Sequence, residues 1–286
     1  MQRLRHKAFS AAVLLALCAA VLPGAITAKA ATPVFYYLSL GDSLAYGLDV
    51  PQMQAEIAAG KFDPASFNHG YADAIAARLA AFAPAIQAVN YGCPGTSPDV
   101  FLYAPCGFGY PLHNAFSGTQ MAATLAFIAA HPGAIALITL DLDVGEPEMG
   151  QLVLACNFDP VCVQQWLPIA LAYLKTRLDT IFTALRTAAP KVMIVVNTAF
   201  NPYSTVAPWT DSVVLGGNNV LNASAHAFGV TVADMYPPFD LGADRNATLC
   251  SLLYFCSPSH DVHPTAAGYA AMASTMWAAT GWPLTP

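Results

Sequence analysis

Charge is scarce in this 286-residue chain: Lys, Arg, Asp and Glu together make up 10% of it, 11 basic residues against 17 acidic. Four of the basic residues, Arg3, Arg5, Lys7 and Lys29, fall within the first thirty positions, which hold no acid. The remainder has 7 Lys+Arg against 17 Asp+Glu, a formal net charge of −10. Such a surface repels phosphate backbones and excludes nucleic acid as a partner. Long apolar runs are missing after residue 30, where none reaches the roughly 18 residues that would cross a bilayer. Zinc spacing is missing too, because Cys156 and Cys162 have neither a CxxC nor paired histidines beside them. No metal site is expected.

What is present begins with a leader. Arg3, Arg5 and Lys7 precede the apolar stretch Ala8–Leu22, and Ala28-Lys29-Ala30 offers small residues at a cleavage site. Residues 1–30 therefore read as a secretory signal peptide, with an uncleaved membrane anchor as the alternative. Residues 31–286 then form one sizeable domain, expected to be secreted, monomeric and without stable membrane insertion. Of seven cysteines, Cys18 lies in the leader and six remain. An even number in an exported chain favours disulfides. Several connectivities are open, reduced buried cysteine among them. The sequential pairing Cys93–Cys106, Cys156–Cys162 and Cys250–Cys256 is the expectation, each bond closing a short loop and contributing roughly 2–3 kcal/mol.

Five apolar, β-rich runs recur: Val34–Leu40, Ile86–Tyr91, Ala134–Leu142, Val192–Thr198 and Val230–Met235. Unbroken apolar runs suit strands buried on both faces of a parallel sheet. Helical patterns lie between them at Tyr71–Phe82, Ser117–Ala130, Val161–Ala188, Ser212–Phe228 and Thr265–Ala279. Ser117 or Thr119 is the N-cap of the second, and Pro168 either kinks the third or opens its second part. Strand and helix alternate as in a doubly wound α/β sandwich. In such sheets ligands bind outside the carboxyl ends of the strands. Ser43, Gly92–Gly95, Asp141–Glu148 and His263 thus fall on one rim.

A serine after the first strand and a histidine before the last helix are the parts of an acyl-transfer nucleophile and its base, since a hydroxyl needs an adjacent base to attack. Either residue alone is a weak signal: Ser43 could be only a helix N-cap, and His69, His113, His131, His226 and His260 compete with His263. Their surroundings are more specific. Leu40-Gly41-Asp42-Ser43-Leu44-Ala45-Tyr46-Gly47, Asn90-Tyr91-Gly92-Cys93-Pro94-Gly95 and Asp261-Val262-His263-Pro264 with Gly268-Tyr269 resemble the motifs of the GDSL or SGNH hydrolase family. The resemblance covers nearly all of residues 31–286. It implies a flavodoxin-like sandwich, a five-stranded parallel sheet with helices on both faces, and the three-disulfide secreted branch of the family. It also implies Ser43 as nucleophile, His263 as general base then acid, and Asp261 as the acid that orients it. The backbone N–H groups of Ser43 and Gly95 would form the oxyanion hole, and no cofactor would be needed.

Two departures from the family pattern stand out. The family's Gly-x-Asn-Asp after the third strand aligns with Asp143, Gly145 and Glu146, so Gly145 stands where an asparagine would give a third oxyanion donor. Losing such a donor costs about 10²–10³ in kcat. The family's Asp-x-x-His spacing would put His260 where the acid belongs, and Asp261 lies one residue closer to His263. The acidic run Asp141, Asp143, Glu146, Glu148 also invites a calcium reading, but its spacing matches no EF-hand. The expected function is hydrolysis of a small-molecule or lipid carboxylic ester through an acyl-enzyme on Ser43. The alternative is a catalytically impaired member that binds an acylated lipid or glycan. Phe101, Tyr103, Phe108, Tyr110 and Phe116 could line an acyl pocket or be core beneath a disulfide-tied loop.

Overall fold

The computed structural model describes residues 34–142 and 150–283. The leader, and Asp143, Gly145, Glu146 and Glu148 of the third motif, lie outside the described residues. Five strands form one parallel sheet: β1 (Phe35–Gly41), β2 (Ile86–Asn90), β3 (Ile135–Asp141), β4 (Met193–Asn197) and β5 (Thr231–Ala233), in the order β2-β1-β3-β4-β5. This is the flavodoxin-like order, and each strand coincides with one of the five apolar runs, β1 shifted one residue later and the others trimmed by one or two residues at an end. Side chains leave successive strand residues on opposite faces, which gives two separate cores. Leu38, Leu40, Ile138, Leu140, Ile194 and Val196 pack on one side, and Tyr37, Leu137, Val195 and Ala233 on the other. Because both faces of the inner strands β1, β3 and β4 are covered, most of their residues are apolar and no apolar–polar alternation appears.

The first core is covered by α5 (Gln120–Ala130), α7 (Pro160–Ala188) and α8 (Asp211–Ala227). The second is covered by α3 (Tyr71–Phe82) and α11 (Ala266–Thr280). Thr119, not Ser117, caps α5: its hydroxyl accepts from Ala122 N at 3.1 Å. Pro168 neither ends nor divides α7, which runs as one helix of 29 residues. Buried Leu174, Leu178, Ile181, Phe182 and Leu185 hold it to the sheet, and their burial outweighs the hydrogen bond a helix-interior proline removes.

Among the described residues, six shorter helices escaped the periodicity argument: α1 (Ser43–Tyr46), α2 (Val50–Ala58), α4 (Pro98–Tyr103), α6 (Gln151–Ala155), α9 (Tyr236–Asp240) and α10 (Arg245–Leu252). At four to nine residues, they are too short to develop an apolar face. Their ends are fixed by side chains such as Asp49, Ser97 and Asp244, each of which caps a helix. The disulfides are Cys93–Cys106, Cys156–Cys162 and Cys250–Cys256.

Candidate active site

The chain leaves β1 for β2 on one side and later continues from β3 on the other. The crevice at the carboxyl ends of β1 and β3 is therefore the switch point of the sheet, where open α/β folds bind ligands. A cavity of about 650 Å³ opens there, and Ser43, Gly95 and His263 all line it.

Ser43 sits on a backbone that several neighbours hold. Gly41, the last residue of β1, has φ +130°, and a Cβ there would lie 1.8 Å from Asp141 O. Only glycine lets the two strands approach so closely. Gln120 fastens the same residue from the far side: Gly41 N donates to its Oε1 at 2.7 Å, and its Nε2 donates to Gly41 O at 2.8 Å. Asp42 then caps α1 by accepting from Leu44 N at 2.8 Å, so Ser43 is the first residue of that helix. A helix N-terminus carries partial positive charge, which suits developing negative charge beside Ser43.

The second loop is attached to the first. Asn90 Nδ2 donates to Ala45 O and Asn90 Oδ1 accepts from Gly92 N, both at 2.8 Å. Cys93 N donates to Gly41 O at 2.9 Å, and a Cβ on Gly92 would come within 2.4 Å of Tyr46 N. Gly95 ends this turn with φ +82° and open space where a side chain would project, so its backbone is accessible from the cavity it lines.

The third segment arrives from the far end of the chain. Tyr269 of α11 donates its hydroxyl to Leu48 O at 2.8 Å, and Tyr254 donates to Asp49 Oδ2 at 2.8 Å. Tyr254 N donates to His263 O at 3.0 Å. These bonds hold the His263 loop beside the Ser43 loop. Asp261 Oδ1 accepts from His263 N at 2.9 Å and from His263 Nδ1 at 2.6 Å. The first bond is an Asx turn, and it folds the carboxylate back onto the ring two residues later. That turn explains how a shortened Asp–His spacing still brings acid and imidazole together. His260, at φ +50°, faces Phe255 O at 3.1 Å instead. Burial pushes the Asp261 carboxyl up, but the hydrogen bonds and charge of His263 outweigh it and hold the group below the usual carboxylate range. A carboxylate can only accept, so Nδ1 carries the proton and Nε2 is the basic nitrogen of the neutral ring. Among the described residues no hydrogen bond joins the Ser43 hydroxyl to that ring, and in ligand-free enzymes this contact is often long.

The remaining wall was not anticipated. The carboxyl end of β4 and the segment after it contribute Asn197, Phe200, Tyr203 and Val206, and α8 contributes Val213 and Val214. The segment is fixed by Asn201, whose N donates to Asp240 Oδ2 at 2.9 Å and whose Nδ2 donates to Asp211 Oδ1 at 2.7 Å. Arg245 clamps both carboxylates, Asp211 at 2.7 Å and Asp240 at 2.8 Å. Its hydrogen bonds overcome burial at Asp211, whose pKa falls. At Asp240, whose side chain is fully buried, burial wins and the pKa rises. The aromatic group at 97–116 does not line this cavity. Phe101 and Tyr110 belong to buried clusters, and Tyr103 stacks beneath Arg177 at 5.2 Å.

A flavodoxin-like sandwich with a hydroxyl, an imidazole–carboxylate pair and an open glycine turn at its switch point has the layout of an acyl-transfer hydrolase. The chain belongs to the GDSL-like lipase/acylhydrolase family, whose model matches residues 39–271, and carboxylic-ester hydrolysis is the activity class this membership brings. A comparison with curated protein sequences gives no match. Solved structures share the fold at low identity. The extracellular lipase of Streptomyces rimosus is 17% identical with a TM-score of 0.59, over 86% of this chain and 100% of that one. A lipase from a goat rumen metagenome is 16% identical with a TM-score of 0.56, over 88% and 100%. Phospholipase A1 of Streptomyces albidoflavus is 17% identical with a TM-score of 0.56, over 86% and 99%.

Proposed function

We propose that this chain is a secreted serine esterase or lipase that hydrolyses carboxylic esters through an acyl-enzyme on Ser43. His263 Nε2 takes the Ser43 proton as the hydroxyl attacks the carbonyl carbon. It then returns that proton to the leaving alkoxide. Asp261 keeps the ring in the tautomer this requires and stabilises the imidazolium that forms. The backbone N–H groups of Ser43 and Gly95 hold the oxyanion. Water, activated by the same histidine, releases the acid and regenerates the serine. The observation that carries the reading is that Ser43, Gly95 and the Asp261-oriented His263 line one cavity.

The apolar wall supports an acyl chain larger than acetyl. The three disulfides fit an oxidising compartment, in keeping with a cleaved leader at residues 1–30. The competing reading, a binder with impaired turnover, rests on the sequence between Asp141 and Glu148, which contains no asparagine. A fluorophosphonate probe separates the two. Stoichiometric labelling of Ser43, abolished in His263→Ala, is the expected result. No labelling of the folded native chain would favour the binder.

A further inference from the structure

The cavity mouth is apolar on its outside as well as its inside. Leu154 and Phe158 line the cavity and yet are 65% and 57% exposed, and Val206, from the segment after β4, is 67% exposed. Val161, in the first turn of α7, is 72% exposed without lining the cavity. Trp166 and Ile169 of the same helix are also exposed, and a rise of 1.5 Å per residue puts Ile169 about 12 Å beyond Val161. Exposed apolar side chains gathered at the mouth of a cavity mark binding surfaces more often than single exposed ones do.

Phe158 is held outward by construction. Asn157 and Phe158 have φ of 49° and 59°, a conformation that is uncommon outside glycine, above all for a bulky residue. Cys156–Cys162 closes the loop around them. Phe158 N donates to Val153 O at 3.0 Å, Asp159 N to Cys156 O at 3.0 Å, and the Asp159 carboxylate caps Val161 N at 2.9 Å. The chain thus accepts a backbone conformation that is strained for a bulky side chain and forgoes part of the burial open to an aromatic ring, which keeps that ring at the rim.

Among the described residues, the segments that form this rim are nearly free of charge. Between Gly150 and Leu174 the one charged residue is Asp159, and Met193–Thr210 has none. Attraction to anionic headgroups needs clustered Lys or Arg, and neither segment supplies any. We infer that this rim, centred on the Cys156–Cys162 loop, docks on a neutral or zwitterionic lipid–water interface. Leu154, Phe158 and Val206 both meet water at the rim and line the cavity, so an ester held in that interface meets apolar side chains from the rim to the apolar wall. The surface serves the ester-hydrolase reading, but its binding is measured without catalysis.

The test uses the full mature chain carrying Ser43→Ala, with phosphatidylcholine vesicles as the probe. Co-flotation with the vesicles, a blue shift of tryptophan emission that Trp166→Phe removes, and indifference to salt are expected. Val161→Gln with Ile169→Gln, neither of which lines the cavity, should weaken vesicle partitioning about ten-fold or more. The same pair in the otherwise native chain should leave hydrolysis of a water-soluble acetyl ester within about two-fold. Four results would overturn the assignment: no flotation, binding that requires phosphatidylglycerol and disappears in salt, binding unaffected by the double substitution, or a dimer that the substitution dissociates while vesicles are ignored. Failure of the native chain to hydrolyse any ester would strike the hydrolase reading and leave the vesicle result standing.

Discussion

The two walls of the cavity are built on opposite principles. The wall that carries Ser43, Gly95 and His263 is held by backbone geometry and buried polar contacts: Gly41 against Asp141, Gln120 bridging Gly41, Asn90 joining two loops, Tyr269 reaching Leu48. The facing lining of Phe158, Tyr203, Val206 and Val214 is apolar and carried on segments tied from behind by a disulfide and by the Arg245 clamp. A reacting centre tolerates little displacement, because misplacement by an ångström can cost a hundred-fold in rate. An acyl-binding surface works by area and can vary with little loss. Substitutions on the polar wall should therefore act on kcat or on folding, and those on the apolar wall on substrate choice.

The largest effect should come from Ser43→Ala and His263→Ala. Each is expected to lower kcat on the order of 10⁴–10⁶-fold with an unchanged melting temperature, and the double variant should be no worse, because the pair acts as a unit. Near-native turnover by either folded variant would dissolve the proposed chemistry.

Asp261→Asn should come next, with a loss of about 10²–10⁴-fold in kcat, since an amide can hold the wrong tautomer. It also has a pH signature. The folded Asp261 carboxyl lies below its ordinary value, which is near 3.9 in unfolded chains. Its contribution to stability is therefore fully present above that value and is lost as pH falls through the lower folded value. Acid titration of melting temperature should show native and Asp261→Asn chains converging as pH drops below about 4. A constant offset down to the lowest pH would mean that the carboxylate is not held by His263.

Gly41→Ala tests the polar wall as architecture. With a Cβ 1.8 Å from Asp141 O at φ +130°, one strand must shift, and a destabilisation of at least about 3 kcal/mol is expected by chemical denaturation. A loss under 1 kcal/mol would show that the β1–β3 rim is more pliant than its hydrogen bonds suggest.

The smallest effect sharpens the contrast. Val214 lines the cavity and is almost fully buried. Val214→Phe should reduce kcat/KM for an octanoyl ester about ten-fold relative to an acetyl ester of the same alcohol. Equal losses on both substrates would place the acyl chain elsewhere.

The fold was largely legible because parallel strands buried on both faces are largely apolar, and Val192–Thr198 can hardly be read as anything else. Tyr71–Phe82 reproduces its helix to the residue. The short helices stayed hidden because capping by Asp49 or Asp244, not periodicity, sets their limits. In the site, Ser43, Gly95 and His263 stood out because each sits in a motif with glycine or proline beside it. Phe200, Tyr203 and Val206 carried no such signal. Apolar residues after a strand look the same whether they face a cavity or a core.

By itself the sequence determined the alternation of the five strands with the five long helices, the sheet type and the residues worth testing, because periodicity and turn chemistry are local; which cysteines pair was an expectation that the tertiary structure settled. Only the tertiary structure decided that Asp261, not His260, meets the imidazole. An Asx turn and a left-handed backbone at His260 set that choice, and neither shows in residue spacing. The tertiary structure also decided which apolar segment faces the serine. That depends on Arg245 bridging Asp211 and Asp240, residues brought together by folding and separated in the chain.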